Sequence, residues 1–391
     1  MAVVASHHIA QSITAHAWNA TLSMIALCPN TSEVHIYTGT PAPDSVWKKA
    51  FVLQKHDQLV SGIDWAPISN YIVTCSHDRN SYVWSFDGTQ WQPTLVILRL
   101  NRAAISVDWS PKENKFVVGS GAKSVCVCYY EADNNWWVSK IIRKKHGSTV
   151  TGVAWHPNNL LIATTSTDCK CRVFSAYIKG VDSKINPGTT FFDTKFGEQV
   201  LQLDLAFGWS FGVKWSPTGN SLAYVGHDST LHIVSNIGPT PSHQTINLRQ
   251  LPLRDILFIS ETRLVGGGFD CNPMLFEIDP KRGVWTFVKF VDEAKSSTHD
   301  LKSSTLFLEA MGRFHGQTRR GTHEAFETSR ASGLAHDNCI TCIVPLISAG
   351  EVNGQETGEK VVQAFSTSGV DGRLIIWSFS NITELLAKLQ I

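Results

Sequence analysis

Short apolar runs rich in β-branched side chains recur along the chain and end at polar turns that contain aspartate. Tyr71-Ile72-Val73-Thr74-Cys75 and Leu160-Leu161-Ile162-Ala163-Thr164 are two of them. Such runs predict buried strands rather than helices. Ahead of several stands an apolar-x-Trp element with Pro two residues after the Trp. The copies are Ile63-Asp64-Trp65-Ala66-Pro67, Val107-Asp108-Trp109-Ser110-Pro111, Val153-Ala154-Trp155-His156-Pro157 and Val213-Lys214-Trp215-Ser216-Pro217. Counted from Trp18, these Trp residues are spaced by 47, 44, 46 and 60 positions. A four-stranded propeller blade takes roughly 40–45 residues, so the pattern fits a repeat with one insertion.

Thirteen residues after each Trp the chain reaches an Asp or its substitute, and six residues later an aromatic or apolar position. Ser76-His77-Asp78 leads to Trp84, Ser166-Thr167-Asp168 to Phe174, and Gly226-His227-Asp228 to Val234. Gly268-Phe269-Asp270 leads to Phe276 and Gly369-Val370-Asp371 to Trp377, without the leading Trp. With the Trp18 unit and a degenerate unit ending at Cys128 there are seven copies. A small sheet cannot bury both faces alone, whereas a closed ring of such sheets buries a continuous core. The expectation is therefore all-β: residues 1–391 as one seven-bladed β-propeller.

Three stretches interrupt the repeat. Residues 178–207 contain Asn186-Pro187-Gly188, a turn signal, and read as a surface excursion. Residues 292–332 separate the sixth unit from the seventh, and there Phe307, Met311 and Phe314 fall at i, i+4 and i+7 beside Arg313. That spacing predicts one short amphipathic helix in a protruding insertion. Residues 349–360, rich in Gly and Glu, read as a loop insertion inside the seventh unit.

Composition narrows the class. Apolar residues make up 43% and charged ones 17%, which supports a sizeable core. With 34 basic and 33 acidic residues the chain has no overall field for nucleic acid or anionic membrane, and any charged partner must be met locally. No stretch is long and apolar enough for a membrane helix, and no secretory signal is visible, so membrane insertion is not expected and the cytosol is. The 9 Cys lack the look of a disulfide framework and read as reduced, buried thiols.

The candidate chemistry is sparse. Ser, His and Asp recur blade after blade, which suits strand-pinning contacts better than a catalytic triad, since a catalytic site would occur once. Gly119-Ser120-Gly121-Ala122-Lys123-Ser124 lacks the spacing of a phosphate loop and falls on a blade turn. Cys126-x-Cys128, Cys169-x-Cys171 and Cys339-x-x-Cys342 read as packing thiols, and neither a metal nor a cofactor is expected. Arg143-Lys144-Lys145, and Arg319-Arg320 with Arg313, are local basic clusters on a neutral chain.

This Trp and Asp pattern resembles the WD-repeat family over essentially the whole chain. In that family a His before the first strand, a Ser or Thr in the next, the turn Asp and the Trp form a structural hydrogen-bonded set. The matching residues are His56, Ser76, Asp78 and Trp84 in one blade, and His146, Ser166 and Asp168 in another, where Phe174 cannot donate. The last blade offers His336, Asp371 and Trp377, while the third has Ala122 where the Asp should stand, so that turn must be held by other means.

Beyond the generic repeat, Ser32-Glu33-Val34-His35-Ile36-Tyr37, Gly62 to Pro67, Pro93 to Arg99, Glu113 to Gly121 and Cys171 to Lys179 resemble the propeller subunits (subunit one, p41 type) of the actin-related protein 2/3 complex. That resemblance implies a non-catalytic scaffold in a multiprotein complex of the cytoplasm and cytoskeleton, supporting nucleation of branched actin filaments and regulation of actin polymerisation. Its implied partners are the other subunits, including the actin-related proteins, the actin filament, and the acidic tail of nucleation-promoting factors. In that family the protruding insertion reaches toward the mother filament, which points to Phe307, Met311, Arg313 and Phe314 as partner contacts. A generic WD-repeat adaptor for an unrelated assembly is the alternative. A propeller enzyme would need one cluster of perturbed carboxylates or His at the channel mouth.

Overall fold

The computed structural model describes residues 2–182, 195–238, 240–292, 335–352 and 355–379. These residues form seven four-stranded antiparallel sheets, the blades of a propeller. In blades 1 to 6 the strands follow chain order. Blade 2, for example, runs outward as Val60–Trp65, Ile72–Ser76, Ser81–Phe86 and Trp91–Val96. The first strand of each blade packs against the first strand of the next, and the seventh meets the first, so the inner strands line a closed channel.

Blade 7 is assembled differently. Ile340–Val352, Gln355–Gly369 and Arg373–Ser378 supply three strands, and the N-terminal strand Ala2–His8 adds the fourth by pairing with Arg373–Ser378. The two ends of the ring are thus tied by a ladder of backbone hydrogen bonds. The crossing is tight at Gly372 (φ +73°), whose carbonyl accepts from the amides of Ile9 and Ala10 at 3.1 and 3.3 Å. Arg79, Lys123, Cys169, Ser229 and Cys271 hold the same turn position elsewhere with φ of 56–75°, so the turn alone does not demand glycine. At Gly372 a Cβ would collide with the Ala10 carbonyl, and only glycine fits.

The core lies between blades rather than within them. Val73 and Val83 of blade 2 pack with Phe116 and Val118 of blade 3, and Ile13, Trp18 and Leu27 of blade 1 pack with Ala364, Leu374 and Ile376 of blade 7. Burial falls outward: Ile72–Ser76 is buried throughout, whereas the outer strand Lys48–Gln54 fully buries only Leu53. Each fully buried aliphatic or aromatic side chain contributes about 1.5–3 kcal/mol, which a lone blade could not collect.

Two stretches expected as loops carry strand. Gln199–Leu203 is the outer strand of blade 4, paired with Cys171–Ser175, and Ile178 is buried, so the excursion expected over 178–207 shrinks to its middle. Residues 349–360 are not a loop insertion either. The pairing of Ile340–Val352 with Gln355–Gly369 continues through Ala349↔Val361 to Val352↔Gln355. Most of the 292–332 insertion, with its expected helix and Phe307, Met311, Arg313 and Phe314, lies outside the described residues.

Candidate functional site

In blade 2, His56 Nδ1 lies 2.7 Å from Asp78 Oδ2, and its Nε2 lies 2.9 Å from Thr74 Oγ1. Trp84 Nε1 donates to the same hydroxyl at 3.0 Å. A carboxylate only accepts, which fixes the chain of donors: Trp84 to Thr74, Thr74 to His56, His56 to Asp78. The relaying hydroxyl is therefore Thr74 and not Ser76. Ser76 Oγ instead donates to the Gln58 carbonyl at 2.9 Å and accepts the Asp78 amide at 3.1 Å, closing the turn. Strand alternation explains the shift: a residue two positions earlier shares the face but lies opposite Tyr82, one diagonal step from Trp84.

Blade 7 repeats the relay, with His336 bonded to Asp371 at 3.0 Å and to Thr367 Oγ1 at 2.8 Å, and Trp377 Nε1 donating to Thr367 at 2.8 Å. Blade 4 modifies it. Arg172 Nη1 stands between His146 Nδ1 (2.9 Å) and Asp168 (2.9 Å), and the hydroxyl on His146 Nε2 is that of Thr164, not Ser166. Ser166 caps the Asp168 amide, and Phe174 packs edge-on against the His146 ring. Burial first, and then the Arg172 charge, lowers the His146 pKa to about 4, so the ring is neutral.

Removing a relay hydroxyl strands two buried polar groups. Thr74→Val is expected to lower unfolding free energy by about 2–4 kcal/mol, one desolvation penalty each for His56 and Trp84. Thr74→Ser, which keeps the hydroxyl, is expected to retain most of that stability. Equal denaturant midpoints for the two variants would contradict the relay.

The channel holds a charge cluster that the sequence pattern displayed without its meaning being legible. The residue before the repeat Trp is Asp64 in blade 2, Asp108 in blade 3 and Lys214 in blade 5, and blade 6 adds Asp255. Each carboxylate spans to the next blade: Asp64 accepts the Trp109 amide at 2.7 Å, Asp108 the Trp155 amide at 2.8 Å and Asp255 the Ile343 amide at 2.8 Å. Burial raises all three carboxyl pKa values. Burial alone would lower that of Lys214, but Asp108, Asp255 and Asp64 together push it up to about 12. The arrangement laces neighbouring blades around one cation. Its carboxylates are committed to backbone amides, which leaves little to hold or activate a substrate.

Thiol chemistry is equally muted: burial raises the Cys75, Cys126 and Cys342 thiols to about 12, and all nine cysteines are free. Among the described residues no cluster of His, Cys, Asp and Glu is arranged to hold a metal, and no helix is long and apolar enough to cross a membrane.

One end of the ring is built for contact. The connections into each inner strand and the aspartate turns lie together on this end. On blades 5 and 6 it exposes Phe207 (94%), Trp209 (58%), Leu251 (53%) and Phe269 (40%). The His227 ring stands edge-on between Trp209 and Phe269, at 6.2 and 6.0 Å. The 292–332 insertion leaves from the same end, where the Ala335 amide closes its base on Asp292 Oδ2 at 3.0 Å. The contact of Trp209, His227 and Phe269 across two blades makes this patch a candidate recognition surface.

A ring of seven such sheets, with His–Thr–Trp–Asp relays in blades 2 and 7 and a variant in blade 4, makes this a WD-repeat β-propeller. The family profile "WD domain, G-beta repeat" matches residues 47–85 and 138–175. The chain belongs to the family of actin-related protein 2/3 complex subunit 1. It is 57% identical to subunit 1A of Arabidopsis thaliana, over 99% of this chain and 100% of that protein. It is 43% identical to subunit 1A-B of Xenopus laevis, over 97% of this chain and 98% of the relative. Against subunit 1 of Schizosaccharomyces pombe the identity is 34%, over 93% and 96% of the two chains.

Proposed function

We propose that this chain is the non-catalytic propeller subunit of an actin-related protein 2/3 complex and supports the nucleation of branched actin filaments in the cytoplasm. The observation that carries the reading is the contact end of the ring. Phe207, Trp209, Leu251 and Phe269 are large apolar side chains left exposed at the end of the ring where Asp292 and Ala335 bracket the insertion, which supports a partner-binding role. On this reading the propeller is a rigid disc that holds neighbouring subunits, actin-related proteins among them, in a fixed relation. The insertion then carries Phe307, Met311, Arg313 and Phe314 toward the actin filament, and the acidic tails of nucleation-promoting factors meet local basic residues. Catalysis has no place in it, because the channel carboxylates are occupied by amides and the thiols are held protonated.

The proposal is tested by add-back to extracts depleted of the endogenous subunit. The chain is expected to restore branched nucleation in a fluorescence assay of actin assembly. The Phe307→Ser, Met311→Ser, Phe314→Ser triple variant is expected to join the complex and melt like the parent, yet yield markedly fewer branches. Full branching by the triple variant would remove the insertion from the mechanism. Failure of the parent chain to restore nucleation would contradict the function itself.

A further inference from the structure

In five blades the turn aspartate accepts the amide of the segment entering the inner strand. Asp78 takes Asp57 N–H at 3.1 Å, Asp168 takes Gly147 at 2.7 Å, Asp228 takes Phe207 at 2.8 Å, Asp270 takes Leu251 at 2.8 Å and Asp371 takes Asp337 at 2.8 Å. In blades 2, 4 and 7 the same carboxylate also caps the amide two residues on, that of Asn80, Lys170 or Arg373. Blade 3 has Ala122 at this place, so the corresponding amides, of Asn101 and Ser124, have no carboxylate to donate to.

A cavity of about 440 Å³ lies where that carboxylate would be, lined by Asn101, Ala122 and Ser124 together with Arg99, Lys123, Arg143 and Lys144. A second, of about 700 Å³, shares Asn101 and Lys123 with it and adds Arg79 and Arg102. Neither lining contains an Asp or Glu. All six cationic side chains are exposed, and none is in an ion pair among the described residues. On a chain with balanced charge, six unpaired cations around two joined hollows form a concentrated positive site.

We infer that this depression binds a multiply phosphorylated small molecule or headgroup, one phosphate occupying the place of the missing aspartate. A phosphate there would accept from the Asn101 and Ser124 amides, as a turn carboxylate does in other blades. Arg99, Lys123, Arg143 and Lys144 would surround it, and Arg79 and Arg102 would reach a second phosphate in the adjoining hollow. Phosphate suits the site better than an acidic peptide. Four arginines and two lysines set with Asn101 around joined, small-molecule-sized hollows match oxyanions of nearly two charges each, and the guanidinium fork matches phosphate geometry.

The test is calorimetric titration of the full chain, alone and within its purified assembly, with inositol hexakisphosphate. Saturable binding at one site is expected. Ala122→Asp, which restores the turn carboxylate and fills the site with like charge, is expected to weaken it more than about tenfold while leaving the melting temperature unchanged or higher. Lys123→Glu with Arg143→Glu should do the same, and Arg282→Glu, far out on blade 6, should do nothing. Co-sedimentation with vesicles containing phosphatidylinositol bisphosphate separates the sources. Binding there that is sensitive to Ala122→Asp assigns a lipid headgroup, and binding of the soluble compound alone assigns a free polyphosphate. The inference is overturned by absence of phosphate binding, by binding indifferent to Ala122→Asp and to the Lys123/Arg143 pair, or by a site that takes a glutamate-rich peptide and no phosphate.

Discussion

Replacing Lys115 with alanine is expected to cost about 3–5 kcal/mol of unfolding free energy, the usual penalty for leaving one partner of a buried ion pair alone. Lys115 is wholly buried, and its ammonium lies 2.7 Å from each oxygen of Asp182, 2.9 Å from the Asn159 carbonyl, 3.3 Å from the Ala176 carbonyl and 5.1 Å from the centre of the Trp155 ring. Asp182 in turn accepts the Ile178 amide at 2.8 Å and the Asn159 side-chain amide at 3.3 Å. The pair therefore clamps blade 3 to the segment that follows the third strand of blade 4. Burial lowers the Lys115 pKa and Asp182 opposes the shift, so a lone Asp182 would have to take up a proton or draw in water. Lys115→Met with Asp182→Leu removes both charges and is expected to recover much of the loss, since buried pairs often exchange with apolar residues at little net cost. Denaturant melts of the single and double variants check this. A double variant no better than Lys115→Ala would show that packing, not the stranded charge, sets the penalty.

Acid is expected to weaken the ring through histidines held neutral. His16, between Ser366 and Ser368 at the junction of blades 1 and 7, has its pKa lowered to about 3, first by burial and then by the His336 charge. Burial lowers His146 and His232 to about 4. Their unfolded pKa is about 6.5, so between about pH 6.5 and 4 the unfolded chain binds more protons than the folded one. Stability from these groups is complete above pH 6.5 and lost as pH falls, at up to about 1.4 kcal/mol per pH unit for each histidine. Asp64, Asp108 and Asp255 have the opposite sign, because their raised pKa values let the folded state take up protons first, and they offset part of the loss. Melting temperatures from pH 7.5 to 5 are therefore expected to fall. His232→Gln should reduce the slope by about one histidine's share. An unchanged slope in that variant would show that His232 titrates normally in the folded state.

Much of the architecture was legible because Trp and Asp recur at fixed offsets, and each offset maps to a turn of the same sheet. Elements without that signature were not. The strand Ala2–His8 carries neither marker, so its role in closing blade 7 emerges only when Arg373–Ser378 is seen to need a partner. The strand Gln199–Leu203 lies beyond an insertion that displaced it from the expected spacing. Within the relay, Ser76 and Thr74 share a strand face, and nothing in residue type tells which hydroxyl meets Trp84; register against the neighbouring strand decides it. Lys115 and Asp182 are separated by 67 residues in the chain, and no local pattern links them. The channel cluster left a trace, the Asp before Trp65 and Trp109, but its meaning depends on which amide lies across the blade boundary. The contact end was not legible: Phe207, Trp209 and Phe269 resembled ordinary strand-end residues until their exposure was known, and the apolar stripe of Phe307, Met311 and Phe314 lies outside the described residues.

The central claim, that the chain is an assembly subunit, is tested most directly by affinity purification of the native protein followed by identification of what accompanies it. The account predicts that both actin-related subunits and the remaining members of the complex are recovered together in equal amounts. Recovery of the propeller as a stable monomer without any actin-related protein would contradict it.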